Sequence, residues 1–202
     1  MDNLKNRAQG VAVLNINYRL AAGSTHQFPA QENDVKAAIE FIFSKKAEYG
    51  ISDKYALLGA SAGAHLALLQ AYKYTSPVSI KAVVDFFGPT DLVEMYNNPI
   101  NPLIPILLQN VTGGSPATQQ VLYEQSSPVS FVTPQTPPTI ILQGGADIVV
   151  DPAQSVILRN HLQAAGVVHQ YVFYPAENHG WVGANLKDSF DKIQAFLAAN
   201  FQ

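Results

Sequence analysis

Hydrophobic and polar positions along this chain switch between two rhythms. Val11-Ala12-Val13-Leu14-Asn15-Ile16-Asn17-Tyr18 is a short β-branched run behind Gly10, the pattern of a strand buried on both faces. From Phe28-Pro29-Ala30 the spacing changes. Val35, Ala38, Ile39 and Ile42 recur every three or four residues until Gly50, which predicts a helix with Pro near its start. The exchange then repeats: strands are predicted over Tyr55–Leu58, Ile80–Phe87, Thr139–Gln143 and His169–Tyr174. Helices are predicted over Ala62–Tyr72, Ala153–Ala165 and Leu186–Phe201. Strands alternating with helices argue an α/β domain over residues 1–202, with a mostly parallel sheet wrapped by helices on both faces.

One segment breaks the rhythm. Between Asn97 and Pro137 the chain is rich in Pro and Asn, yet its centre, Pro102-Leu103-Ile104-Pro105-Ile106-Leu107-Leu108, is apolar. A connection this long inside a compact domain is commonly functional. The expectation is a small cap-like insertion at about residues 95–127 lying over a substrate site; the plainer alternative is a cover for one sheet edge.

Composition narrows the partners. Charged residues are 13% of the chain, against roughly 25% for an average soluble domain. The formal net charge is −3, and the basic residues are scattered instead of gathered on one stripe, so nucleic acid is not an expected partner. No run approaches the ~18 apolar residues of a membrane span. Residues Met1 to Arg7 are polar and show no export signal, so the chain as given reads as cytoplasmic; an upstream segment would admit a secreted or periplasmic protein. There is no cysteine, hence no disulfide, thiolate zinc site or Cys nucleophile. No metal-ligand spacing and no glycine-rich nucleotide motif stands out, so no metal and no cofactor are expected.

The chemistry concentrates at three strand ends. Gly59-Ala60-Ser61-Ala62-Gly63 lies between a predicted strand and a predicted helix, the context of a nucleophile elbow. There the two glycines are expected to let strand and helix approach without Cβ clashes. Ser61 as a simple helix N-cap is the bland alternative. A serine hydroxyl needs an imidazole to take its proton and a carboxylate to fix the imidazole tautomer. Of five histidines, His65 falls one turn into the helix after Ser61, His26 and His161 flank or lie on helices, and His169 starts a strand. His179, in Glu177-Asn178-His179-Gly180-Trp181, follows the last strand on the same carboxyl edge as Ser61. Asp147, in Gln143-Gly144-Gly145-Ala146-Asp147, follows the strand before it; Asp151, next to Pro152, is the competing acid but fits a helix cap better. Asp91 reads as a turn or cap residue.

At these residues the chain resembles a known group. Tyr18-Arg19-Leu20-Ala21, Phe28-Pro29-Ala30 with Asn33-Asp34, Gly59 through Ala67, Phe87-Gly88-Pro89-Thr90-Asp91-Leu92, and Gly144 through Asp147 to His179-Gly180 are similar to the α/β-hydrolase esterases of the hormone-sensitive-lipase and acetyl/feruloyl-esterase (BD-FAE-like) group. The order Ser61, Asp147, His179 is also that of α/β hydrolases. The resemblance implies carboxylic ester hydrolysis with Ser61, Asp147 and His179 as triad and the amide of Ala62 as one oxyanion donor. It implies a small-molecule ester as substrate, with small acyl or aryl esters, including acetyl or feruloyl groups on polysaccharide, as the class. Ala60, Leu103, Leu107 and Trp181 are the residues expected to bind it.

The group carries three further strands and an HGG-type loop before the strand expected at Val11, and nothing here matches them. The expectation is therefore an N-terminally truncated α/β-hydrolase fold, in which the Val11 strand pairs with the Tyr55 strand or a second copy supplies a partner. That makes a homodimer the expected assembly. Two other readings compete with the esterase: a non-catalytic or weakly active remnant that lacks the oxyanion loop, and a serine peptidase of the prolyl-oligopeptidase kind.

Overall fold

The computed structural model describes residues 10–75 and 77–201. Four strands, β1 (Lys54–Ala60), β2 (Ser79–Phe86), β3 (Thr139–Gly144) and β4 (His169–Tyr174), form one parallel sheet in chain order. Because all four run the same way, residues that follow β1, β3 and β4 emerge at one edge of the sheet. That edge is where the three candidate residues stand.

The central strands β2 and β3 alternate their side chains between two buried faces. Val83 and Ile141 join Leu66, Leu68, Leu158 and Leu162 on one side, under helices α1 (Ala30–Ser44), α3 (Ala62–Lys73) and α7 (Pro152–Ala164). Val84, Ile140, Leu142 and Val172 join Ile193 and Phe196 on the other, under α8 (Gly183–Asn200). Burial on both faces explains why these strands read as nearly continuous apolar runs. A short helix, α2 (Lys46–Tyr49), follows α1 and ends at Gly50 with φ of 63°.

The predicted strand at Val11 to Tyr18 is not formed. The segment has no ladder partner among the described residues, and Val11, Val13 and Leu14 are exposed. A parallel strand exists only through its neighbours' N–H and C=O groups; among the described residues β1 is the sheet's edge and pairs on one side, with β2. The run is held by other means. Ile16 and Tyr18 tuck against the α1–α3 core, and the Arg19 guanidinium forks onto the Asp34 carboxylate of α1 at 2.7 to 3.1 Å. That fork holds the Asp34 carboxyl well below the usual carboxylate range, at about 2.

The excursion folds into helices, which its prolines had masked. These are α4 (Leu92–Asn97), α5 (Ile104–Thr112) and α6 (Gln120–Gln125), followed by a 3-10 turn at Pro128–Phe131. Pro102 and Pro105 sit around the first turn of α5, where a missing N–H costs nothing. Leu92, Met95, Ile104, Leu108 and Tyr123 close a small core of their own. The segment is tied to the sheet layers by buried Gln154 of α7, whose Oε1 accepts from the Thr90 and Asp91 amides at 2.8 Å.

Candidate active site

Ser61 occupies the turn from β1 into α3 with φ of 54° and ψ of −124°, a conformation that a residue with a Cβ rarely adopts. Its N–H donates to the Phe86 carbonyl at 2.9 Å, which pins the turn to β2. The turn is as tight as an elbow requires. A Cβ on Gly59 would lie 2.2 Å from the backbone of Gly63. Gly63 is different from the expectation: a Cβ there would meet nothing within 4 Å, so only Gly59 is needed for the close approach.

Across the sheet edge, His179 Nε2 lies 2.9 Å from Ser61 Oγ, and His179 Nδ1 lies 2.8 Å from Asp147 Oδ2. The other Asp147 oxygen accepts from the amides of Val149 and Val150 at 2.8 and 3.0 Å. Burial by itself raises the Asp147 carboxyl; the bond from His179 and the two amides outweigh that and hold it below its ordinary value. Since the ionised carboxylate only accepts, Nδ1 carries the proton, and the Nε2 lone pair is left facing the serine hydroxyl.

The loops that bring the acid and the histidine together interlock. Asn178 Oδ1 accepts from the His179 amide at 2.7 Å and from the Ile148 amide at 3.3 Å, and the Ala146 amide donates to the Glu177 carbonyl at 2.8 Å. Gly144 permits this contact, because a Cβ there would sit 2.3 Å from the Asn178 carbonyl oxygen. Phe87, with φ of 46°, lays its ring beside the His179 imidazole at 4.5 Å between centroids.

The remaining histidines are elsewhere. Buried His65 bonds the Ser126 carbonyl through Nε2 at 2.6 Å and ties α3 to the segment after α6, and His169 bonds the Val167 carbonyl. Asp151 caps α7 by accepting from the Ala153 amide at 2.8 Å, and Asp91 caps α4 by accepting from the Glu94 amide at 3.0 Å. Beneath the elbow, Asp85 of β2 pairs in register with Gly59 and is fully buried. One of its oxygens accepts from the Gly88 amide, and the other has no hydrogen-bond partner among the described residues. Burial pushes its carboxyl up to about 7.

Of the expected substrate contacts, Ala60 is exposed at the end of β1, and Leu103 and Leu107 are exposed at the start and middle of α5. Trp181 is 8% exposed, packs against Phe86, Phe87 and Tyr174, and donates its indole N–H to Ser189, which anchors the histidine loop to α8. Ala62 is the first residue of α3, where the amide has no partner within the helix. No group of three or more His, Asp or Glu residues with metal-binding geometry is present among the described residues.

The sequence assigns no site role to Asn178, Phe87 or Gln143, although Phe87 opens the Phe87–Leu92 block that carries the resemblance. Gln143 had one signal, a polar side chain closing the apolar run Ile140-Ile141-Leu142.

The BD-FAE family model matches residues 2–162. The chain belongs to the BD-FAE family. Esterase LipQ of Mycobacterium tuberculosis is 30% identical to this BD-FAE chain in an alignment of 184 positions that covers 85% of the chain and 43% of LipQ. This chain thus spans less than half the length of that relative. A solved structure, a truncated carbohydrate esterase from gut microbiota, superposes with a TM-score of 0.77 at 27% identity, over 91% of this chain and 73% of that one. Dipeptidyl aminopeptidase BIII of Pseudoxanthomonas mexicana is 26% identical over 94% of the chain and 29% of its own length. The fold is an α/β-hydrolase fold, with the parallel sheet and flanking helices described above. Among the described residues no helix is long and apolar enough to cross a membrane.

Proposed function

We propose that this chain is a serine ester hydrolase that works through an acyl-enzyme, with Ser61 as nucleophile, His179 as general base and Asp147 as the group that orients the base. The observation that carries the reading is the unbroken path from Ser61 Oγ through the two His179 nitrogens to Asp147 Oδ2, at 2.9 and 2.8 Å. Family membership and the esterase named LipQ support it.

In the first half-reaction Ser61 Oγ attacks the acyl carbon while its proton passes to His179 Nε2. The Ala62 amide, free of a helix partner, donates to the developing oxyanion. As the tetrahedral intermediate collapses, His179 returns the proton to the leaving alcohol, and the acyl group stays on Ser61. Water, deprotonated by the same nitrogen, then adds to the acyl carbon, and as the bond to Ser61 Oγ breaks His179 returns the proton to Oγ and the acid leaves. Asp147 remains ionised throughout and stabilises the imidazolium that forms at each step.

The substrate is a small acyl or aryl ester. The carbohydrate esterase among the structural neighbours favours a polysaccharide-borne acyl group over a peptide. In this reading the α4 to α6 segment caps the site and Leu103 and Leu107 meet the apolar part of the ester; the tie from His65, four residues after Ser61, to the Ser126 carbonyl supports that closeness. The unpaired side of β1 is covered by a second copy of the chain, which sedimentation at graded concentrations tests.

The test of the activity is turnover of p-nitrophenyl acetate by the wild type, Ser61→Ala, His179→Ala and the double variant. Each single change is expected to remove most of kcat and the double little more, since triad members act as a unit. Losses that add would contradict the triad.

A further inference from the structure

Gln143 is a polar side chain with no exposure, at the end of a central strand in which the three residues before it, Ile140, Ile141 and Leu142, are aliphatic. Its amide is fully used. Nε2 donates to the Gly144 carbonyl at 3.1 Å and to Asp147 Oδ2 at 3.2 Å, and Oε1 accepts from the Ser155 hydroxyl of α7 at 2.8 Å. The chemistry fixes this orientation: turned over, the amide would set its oxygen against a carbonyl and a carboxylate, acceptor to acceptor. Ser155 therefore holds the amide with its N–H groups aimed at Asp147.

The oxygen that Gln143 reaches is the one that takes the His179 Nδ1 proton. The opposite oxygen is held by the Val149 and Val150 amides. Each carboxylate oxygen thus has two donors, which fixes the plane of the group about its Cβ–Cγ bond. A residue that merely filled this space would need no polar atoms, and burying an amide is unfavourable unless its bonds are made.

We infer that Gln143 is a positioning residue for the Asp147–His179 pair: it locks the carboxylate plane and shares the negative charge of Oδ2 with the histidine. The inference rests on the triad reading above. Removing the Gln143 donor concentrates charge on Oδ2 and makes it a stronger acceptor for Nδ1–H, while the carboxylate gains freedom to rotate away from the productive plane.

The test reads the Nδ1–H proton of His179 directly by low-field proton NMR, with the resonance assigned by its loss in His179→Ala. Where exchange with solvent hides the proton, the Nδ1 nitrogen shift reports the same bond. Gln143→Met keeps the length and volume and removes the donor; Gln143→Met with Ser155→Ala also removes the stranded hydroxyl. Both are expected to move the proton resonance downfield, and to lower kcat on p-nitrophenyl acetate about tenfold with KM unchanged. Ser155→Ala alone, a milder change, is expected to shift the resonance in the same sense by less, and serves if the methionine variants do not fold. A resonance that stays at the wild-type position would overturn the inference. Because the resonance needs no turnover, a shift in a protein that fails to hydrolyse the ester would leave Gln143 in its role and sink the esterase reading alone.

Discussion

His179 Nε2 stands 2.9 Å from Ser61 Oγ, although 118 positions separate the two residues in the chain. The contact is held from both sides. Ser61 is set by a backbone turn that only a glycine at 59 allows, and His179 by a loop whose Asn178 side chain reaches the acid loop as well as its own backbone. The geometry therefore depends on a few close approaches, and these can be tested one at a time.

The two elbow glycines should behave differently. Gly59→Ala drives a Cβ into the Gly63 backbone and is expected to cost at least about 3 kcal/mol, in the range of severe overpacking. Gly63→Ala enters open space on a helix and is expected to stabilise by up to about 1 kcal/mol. Urea unfolding of both variants decides the point; equal losses would contradict the assigned asymmetry.

The two candidate acids separate in the same way. Asp147→Asn deprives His179 of the group that fixes its tautomer and should lower kcat on the order of 10⁴-fold, by analogy with serine-protease triads. Asp151→Asn touches only the cap of α7 and should leave kcat near wild type, with at most about 1 kcal/mol lost in stability. Steady-state kinetics on p-nitrophenyl acetate distinguishes them, and the reverse ranking would make Asp151 the acid.

Two buried carboxyls give stability opposite dependences on pH. Asp147 is held below its unfolded value, so its contribution is present above that value and is lost as pH falls through the folded one. Asp85 is raised to about 7, so the folded state binds the extra proton and stability falls as pH rises from the ordinary carboxyl range to about 7. Asp85→Asn should therefore gain on the wild type in Tm steadily between about pH 4 and pH 7. A Tm difference that is flat with pH would show that Asp85 is not protonated in the folded protein near neutrality.

Much of this architecture is legible in the sequence because the central strands of the sheet are buried on both faces. Strands such as Ser79–Phe86 and Thr139–Gly144 then read as apolar or β-branched runs of strand length, and glycine and proline mark their ends. The Val11 run misleads for the same reason: its pattern is that of a strand, but pattern does not supply a neighbour, and Arg19 is drawn instead to Asp34 on α1. Helix α5 was hidden by Pro102 and Pro105, which signal a break in a helix interior yet are harmless at its first turn. Ser61, Asp147 and His179 stood out because each residue type has a chemical reason to follow a strand on the carboxyl edge. Trp181 stood out by proximity in sequence to His179, and its side chain turned inward because the indole had an apolar cluster and the Ser189 hydroxyl to meet. Gln143 and Asn178 are tied in by side-chain hydrogen bonds, for which no spacing rule exists.

The most direct measurement is covalent capture of the nucleophile. A fluorophosphonate reacts only with a serine whose proton can be removed, so the protein should gain one adduct, mapped by peptide mass spectrometry to Ser61. Labelling should vanish in Ser61→Ala and slow severely in His179→Ala. No adduct on the folded protein, or an adduct on any serine other than Ser61, would contradict the account.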